Sequence, residues 1–147
     1  MSCSTQEKVG YVNPVKLMQE YHAATAQQQV FQAKAKVWQQ RIDSLKTELD
    51  ALPADGSAKR AYREQELLRY RDAIQQQAQQ EDQRLAKGVM EEVNAYIKQY
   101  GKEKGYRFIL GATNQGNIVY AAEGTDLTDE ILEGLNKQYD ALHPQKP

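Results

Sequence analysis

Eleven positions from Leu17 to Leu52 recur in strictly alternating steps of four and three: Leu17, Tyr21, Ala24, Gln28, Phe31, Ala35, Trp38, Ile42, Leu45, Leu49 and Leu52. All but Gln28 are apolar or aromatic. A repeat of about 3.5 residues gathers them into one narrow seam, the pattern of a coiled-coil arm rather than of a helix laid on a globular core. A chain that spends its apolar residues this way is organised for reach or enclosure, not around a catalytic pocket.

Asn13-Pro14 opens this helix, with Asn as N-cap and Pro at the first helical position, and the helix is expected to run to about Leu52. Pro53-Ala54-Asp55-Gly56-Ser57 then reverses the chain, and Ser57 caps a second helix reaching to about Lys104. At a rise of about 1.5 Å per residue, the two helices are roughly 50 to 70 Å long. Folded back as a hairpin, their partners sum to about 109 in residue number, so that large side chains face small or medium ones. Ile42 then meets Leu67, Trp38 meets Tyr70, Ala35 meets Ile74 and Phe31 meets Ala78. The expected arm seam is therefore Phe31, Trp38, Ile42, Leu45, Leu67, Tyr70 and Ile74. Midway, Gln28 falls opposite Glu81 inside the polar run Gln75 to Asp82. That stretch is either a solvated helix face or a compliant point, where each missing apolar side chain forgoes roughly 1.5–3 kcal/mol of burial.

The ends of the chain read differently. Lys8-Val9-Gly10-Tyr11-Val12-Asn13 is a short strand, and Gly101 and Gly105 end the second helix. Tyr106 to Leu110 alternates as a strand with Tyr106, Phe108 and Leu110 on one face. Thr113 to Gly116 makes a turn, and Asn117 to Ala121 returns as a further strand. Thr128 caps a closing helix with Asp129 and Glu130 at the positive end of its dipole and an apolar face of Ile131, Leu135, Tyr139 and Leu142. The expected fold is α+β and mostly helical, a long antiparallel two-helix arm inserted into a small strand-and-helix head. Its bounds are a tail at 1–7, one domain at 8–142 (head 8–20 and 101–142, arm 21–100) and a tail at 143–147. So small a head is marginal alone, and joining strands across copies covers its open edges. Val9, Tyr11, Val12, Phe108, Leu110, Ile118 and Tyr120 are the candidate oligomer interface, and no stable folded monomer is expected at low concentration.

Composition narrows the function. With 147 residues and a net charge of −1, the chain has no global field to draw in nucleic acid or acidic membranes. No apolar stretch approaches the roughly 20 residues of a membrane span, and no signal-peptide h-region is present. The single Cys3 excludes an internal disulfide, and no Cys/His cluster suits a metal. His22, His143 and the pair Glu91-Glu92 read as solvated surface groups, and Gly101, Gly105 and Gly111 form no phosphate cradle, because none opens a helix after a strand. A non-enzyme without cofactors is expected. Cys3 itself has two readings: a tail thiol, or the first residue of an acylated lipoprotein whose export signal Met1-Ser2 replaces, with Ser4-Thr5-Gln6 as tether. Val30, Val37, Leu68, Met90 and Ile97 do not fit the narrow seam. Met90 and Ile97 suit packing against neighbouring subunits, whereas Val30, Val37 and Leu68 suit either such packing or a client-facing inner wall.

The opening strand Lys8 to Asn13, the passage Gly105-Tyr106-Arg107-Phe108-Ile109-Leu110 after a long helix, and the ending Thr125-Asp126-Leu127-Thr128-Asp129-Glu130-Ile131-Leu132 appear in an order that resembles the Skp (OmpH-like) family of periplasmic chaperones. The resemblance spans Lys8 to Leu142, although its rod portion is generic coiled-coil sequence. It implies a homotrimer shaped like a jellyfish, with a shared β-body and three helical arms enclosing a cavity. It also implies ATP-independent holding of unfolded outer-membrane or envelope proteins in the bacterial periplasm, with membrane attachment only through a lipid on Cys3. Well-known members are strongly basic. Here Lys59, Arg60, Arg63, Arg69 and Arg71 cluster near the arm tip, but from Arg41 to Arg71 seven basic side chains face six acidic ones. Lipopolysaccharide capture by charge is therefore not expected. The competing readings are a structural or adaptor spacer of the envelope, and a prefoldin-like chaperone, against which the strands at the outer ends of the chain count.

Overall fold

The computed structural model describes residues 7–54 and 56–145. Its elements run β1 (Val9–Val12), α1 (Pro14–Glu20), α2 (His22–Asp50), α3 (Ala58–Lys104), β2 (Phe108–Gly111) and α4 (Thr128–Leu142). The molecule is mostly helical, with a long helical hairpin and a small parallel sheet. It divides into two compact units, one from the chain ends up to Ala26 and from Lys87 onward, the other from Gln27 to Ala86.

The first unit is organised by β1 and β2, which pair in parallel with Val9 opposite Phe108 and Val12 opposite Gly111. Parallel strands need a long crossover, and here the crossover is everything from α1 to α3. The pairing extends past both strand ends, as Arg107 N donates to Lys8 O and Ala112 N to Val12 O, each at 2.8 Å. On its other edge β1 holds the segment before α4: Tyr11 N donates to Thr125 O and Leu127 N to Tyr11 O, both at 2.9 Å. β1 is thus paired on both sides. A Cβ on Gly10 would lie 2.4 Å from Leu127 Cδ1 and 3.1 Å from Tyr106 Cε1, so only glycine fits between these side chains.

Leu17, Ile131 and Leu135 are the most deeply buried large side chains, and Val12, Tyr21, Val89, Val93, Tyr100 and Leu127 complete the core around them. Asn13 caps α1 as its spacing predicts, its Oδ1 accepting from Val15 N and Lys16 N. Gly105, at φ +75°, ends α3, and Tyr106 N donates to Gly101 O at 2.9 Å, closing a Schellman turn. Gly101 itself does not break the helix, which runs through it to Lys104. It lets Ile109 pack close, at 3.3 Å from where a Cβ would stand.

Four local expectations are corrected. The first helix is interrupted at Tyr21 (φ −71°, ψ 126°) rather than running unbroken. The amide of Asn136 on α4 bridges the gap, accepting from His22 N at 2.8 Å and donating to Glu20 O at 3.3 Å. Thr128 is the first residue of α4 rather than its cap. Its N and Oγ1 both donate to Asp126 Oδ1, while its Oγ1 accepts from Asn13 N. The return strand at 117–121 does not form. Asn117 turns its side chain back, accepting from Thr113 N and donating to Gly111 O, and Ile118-Val119-Tyr120 run on with no ladder partner among the described residues. Finally, Gln28 is exposed and Gln27 is half-buried in its place.

In the second unit, residues 27–50 and 58–86 pair as an antiparallel hairpin. In this unit the half-buried or buried apolar positions of α2 are Phe31, Ala35, Trp38, Ile42, Leu45 and Leu49, with Leu52 just past its end, the seam as read from the four-three spacing. On α3 the stripe is Leu67, Tyr70, Ile74, Ala78, Glu81 and Leu85. Phe31 and Trp38 meet edge to face at 6.2 Å. At the turn Gly56 takes φ +67°, and Arg60 reaches across to cap α2, its guanidinium donating to Leu52 O at 3.0 Å and Leu49 O at 3.4 Å. The polar seam position is not Gln28 against Glu81. Glu81 instead pairs with Lys34 across the hairpin and with Arg84, at 2.8 Å, on its own helix.

Two tests follow from this packing. Gly10→Val overfills the gap beneath Leu127 and is expected to lower the stability of the chain by about 1–3 kcal/mol in denaturant melts. An unchanged midpoint would show that the gap is not tight. Arg84 and then Lys34 hold the Glu81 carboxyl down to about 2, from an ordinary 4.5. A carboxylate depressed on folding adds stability above the unfolded value, and that stability is lost as pH falls from about 4.5 toward 2. Glu81→Gln should therefore melt below the parent at neutral pH, with the difference closing through that window. A pH-independent difference would contradict the pairing.

Candidate interaction surfaces

Along β1 the side chains alternate, with Gly10 and Val12 inward and Val9 and Tyr11 outward. On β2 Ile109 is half-buried between the exposed Phe108 and Leu110. The parallel register sets Val9 beside Phe108 and Tyr11 beside Leu110, so four apolar or aromatic side chains share the outward face of a two-stranded sheet. Val9, Phe108 and Leu110 are 41%, 55% and 48% exposed. β2 has a ladder partner on one side only among the described residues, which leaves its outer row of backbone groups open. Close in sequence, Ile118 is half-buried while Val119 and Tyr120 are almost fully exposed, in a stretch rich in β-formers that has no strand to join. Of the candidate interface residues, Val12 alone belongs to the core.

The hairpin carries a second kind of surface. Leu45 and Leu67 are its only buried apolar side chains among the described residues, and the rest of the seam is half-buried, since two helices cannot enclose more than the centre line between them. Val30 and Val37, two turns and so about 10 Å apart along α2, are exposed, as is Leu68 on α3. Tyr62 joins them as an exposed aromatic that sequence reasoning passed over. Its signal was present, because it lies off the stripe formed by Arg60, Arg63 and Leu67. Ile97 packs on the core of its own chain, and Met90 is half-buried.

The polar groups are tied to structure. Tyr21 Oη donates to Glu92 at 3.1 Å, and burial first, then the Glu92 charge, pushes its phenol up to about 12. Tyr100 is pushed up by burial and by Glu130. His22 Nδ1 lies 2.8 Å from Asp140, and the His143 ring stacks on Tyr139 at 4.1 Å. Lys16 Nζ meets Asp129 at 2.6 Å. Each of these contacts fastens α4 or the helix ends, and none pairs a nucleophile with a base. Cys3 lies outside the described residues. No helix among them is long and apolar enough to cross a membrane.

The fold is that of a chain whose two ends pair in a small parallel sheet and whose middle is a long helical hairpin. The family model for outer membrane protein (OmpH-like) matches residues 8–135, and the chain belongs to that family. Among solved structures it is similar to a candidate outer membrane chaperone (OmpH-like) from Caulobacter crescentus CB15, at 15% identity and a TM-score of 0.54, over 91% of this chain and 86% of that one. That likeness is one of fold. Among curated proteins no match is found.

Proposed function

We propose that the protein is an ATP-independent holdase of the bacterial periplasm, which keeps unfolded outer-membrane or envelope proteins from aggregating between helical arms. One observation carries this reading beyond family membership. The hairpin leaves Val30, Val37, Tyr62 and Leu68 exposed singly along its length instead of gathering them into one patch. Scattered apolar groups give many weak contacts to an unfolded chain, while a contiguous patch would make the arm itself aggregate. Such holding uses no catalysis and no cofactor.

Assembly comes from the sheet. In this reading three copies join through the open edge of β2 and the outward face of Val9, Tyr11, Phe108 and Leu110. Ile118 and Tyr120 supply strand-forming residues that have no ladder partner among the described residues. Burying a Phe or Leu side chain contributes roughly 1.5–3 kcal/mol, so a few such residues per copy decide whether the trimer holds. Cys3, if acylated, would tether the assembly to a membrane. Met90 is a secondary candidate for contact with a neighbouring copy.

Phe108→Asp with Leu110→Asp should move the sedimenting species from trimer toward monomer at micromolar concentration. A trimer unchanged by both substitutions would remove the sheet face from the interface. Val30→Ser, Val37→Ser and Leu68→Ser together should weaken suppression of aggregation of an unfolded β-barrel client several-fold while leaving the sedimenting species intact. Undiminished suppression would take the client contacts off these positions.

A further inference from the structure

In the first unit, one face of α3 and one face of α4 bound an open groove of about 550 Å³. Tyr96, Tyr139, Leu135 and Leu142 form much of its wall, and Glu92 and Glu103 stand along its α3 side. Among the described residues no lysine or arginine lines it, and His143 is the one titratable group there besides the tyrosines and the two carboxylates. Both carboxylates have neutral partners: Glu92 accepts from Tyr21 Oη at 3.1 Å and Glu103 from Gln99 Nε2 at 2.7 Å. Neither has an ion pair among the described residues, although lysines and arginines elsewhere on the chain pair with carboxylates repeatedly. The wall is equally specific. Tyr96 lies so close over α4 that its hydroxyl would stand 1.8 Å from a Cβ on Gly134, and only a glycine there leaves room for the ring.

The groove therefore offers unneutralised negative charge, aromatic rings and an aliphatic floor together. That is the environment of a cation carried on an apolar stem. A guanidinium suits it best, because its plane stacks on a tyrosine ring, its fork matches a carboxylate, and its stem covers leucine. Glu92 and Glu103 are eleven residues apart on one helix, about 16 Å along its axis. Side chains that share one face of an extended chain are an even number of residues apart; at about 3.3 Å per residue a spacing of four covers about 13 Å, and the length of the two arginine stems reaches the rest.

We propose that this groove is a second contact for unfolded polypeptide, taking an extended segment whose two arginine side chains, four residues apart and so on one face, reach Glu92 and Glu103. The proposal rests on the holdase reading for its biological sense, but it concerns a separate surface. Tyr96 and Tyr139 supply the rings between the two carboxylates, and Leu135 and Leu142 the floor.

The test is a titration of the full chain, in its assembled state, with a blocked peptide of Gly and Ser carrying two arginines four residues apart. Binding is followed by calorimetry and by the ring signals of the tyrosines. The same peptide with citrulline, which keeps the shape and removes the charge, should bind about tenfold more weakly. A peptide with its arginines adjacent should also lose affinity, and Glu92→Gln and Glu103→Gln should each reproduce part of the citrulline loss. Equal binding of the arginine and citrulline peptides, or no binding of either, would overturn the proposal. So would tyrosine signals that shift with protein concentration alone, which would make another copy of the chain the occupant. The readout needs no client, so its failure is distinguishable from loss of aggregation suppression by the arm variants.

Discussion

The parallel pairing of β1 with β2 is the interaction on which the rest depends. It ties together strands separated by about 95 residues, a closure that would cost a flexible chain roughly 4 kcal/mol in entropy beyond a constant. Four residues a side cannot offset that alone. The intervening chain is not flexible, however, because the hairpin fixes it and leaves little loop to close. The pairing then does more than join two strands. Through Tyr11 it also fixes the segment 125–127, and that segment places Leu127 and Thr128 so that α4 delivers Ile131 and Leu135 to the core. Gly10 marks how tightly these parts are stacked.

The hairpin solves the opposite problem. Two helices have one line of contact, and a strict four-three stripe is the longest way to use it. What the stripe cannot bury it must keep soluble. Charges do this at the turn, where Arg60 caps the end of α2, and midway, where Glu81 occupies a seam position and is neutralised from both helices. The seam is thus pinned by charge at the point where its apolar content lapses. Val30, Val37, Tyr62 and Leu68 stay outside it, exposed.

Much of this was legible in the sequence because much of it is local. The seam from Phe31 to Leu52, the turn at Gly56, the Asn13 cap and the helix end at Gly105 each follow from short-range chemistry. The failures share a cause. The break at Tyr21 is stabilised by Asn136, 114 residues away from His22, and no breaker residue announces it. The stretch 117–121 has the composition of a strand, yet composition cannot supply a ladder partner, and Asn117 spends its amide on the turn instead. The pairing of β2 with β1, rather than with the chain that follows it, is likewise a long-range fact. The candidate interface shows the same division. Alternation identifies Val9, Tyr11, Phe108 and Leu110 as one face, but only the register makes them neighbours, and Val12 falls to the core. The groove between α3 and α4 was invisible because neither helix forms it alone.

The most direct test of the account is native-state hydrogen exchange at the amides of Tyr11, Arg107, Ala112 and Leu127. If the terminal strands close the fold, these four amides should be protected together and should open in one step along with the core amides of Val89 and Val93. Free exchange at Arg107 and Ala112 while Val89 and Val93 stay protected would mean that the chain ends do not hold each other, and the account would fail.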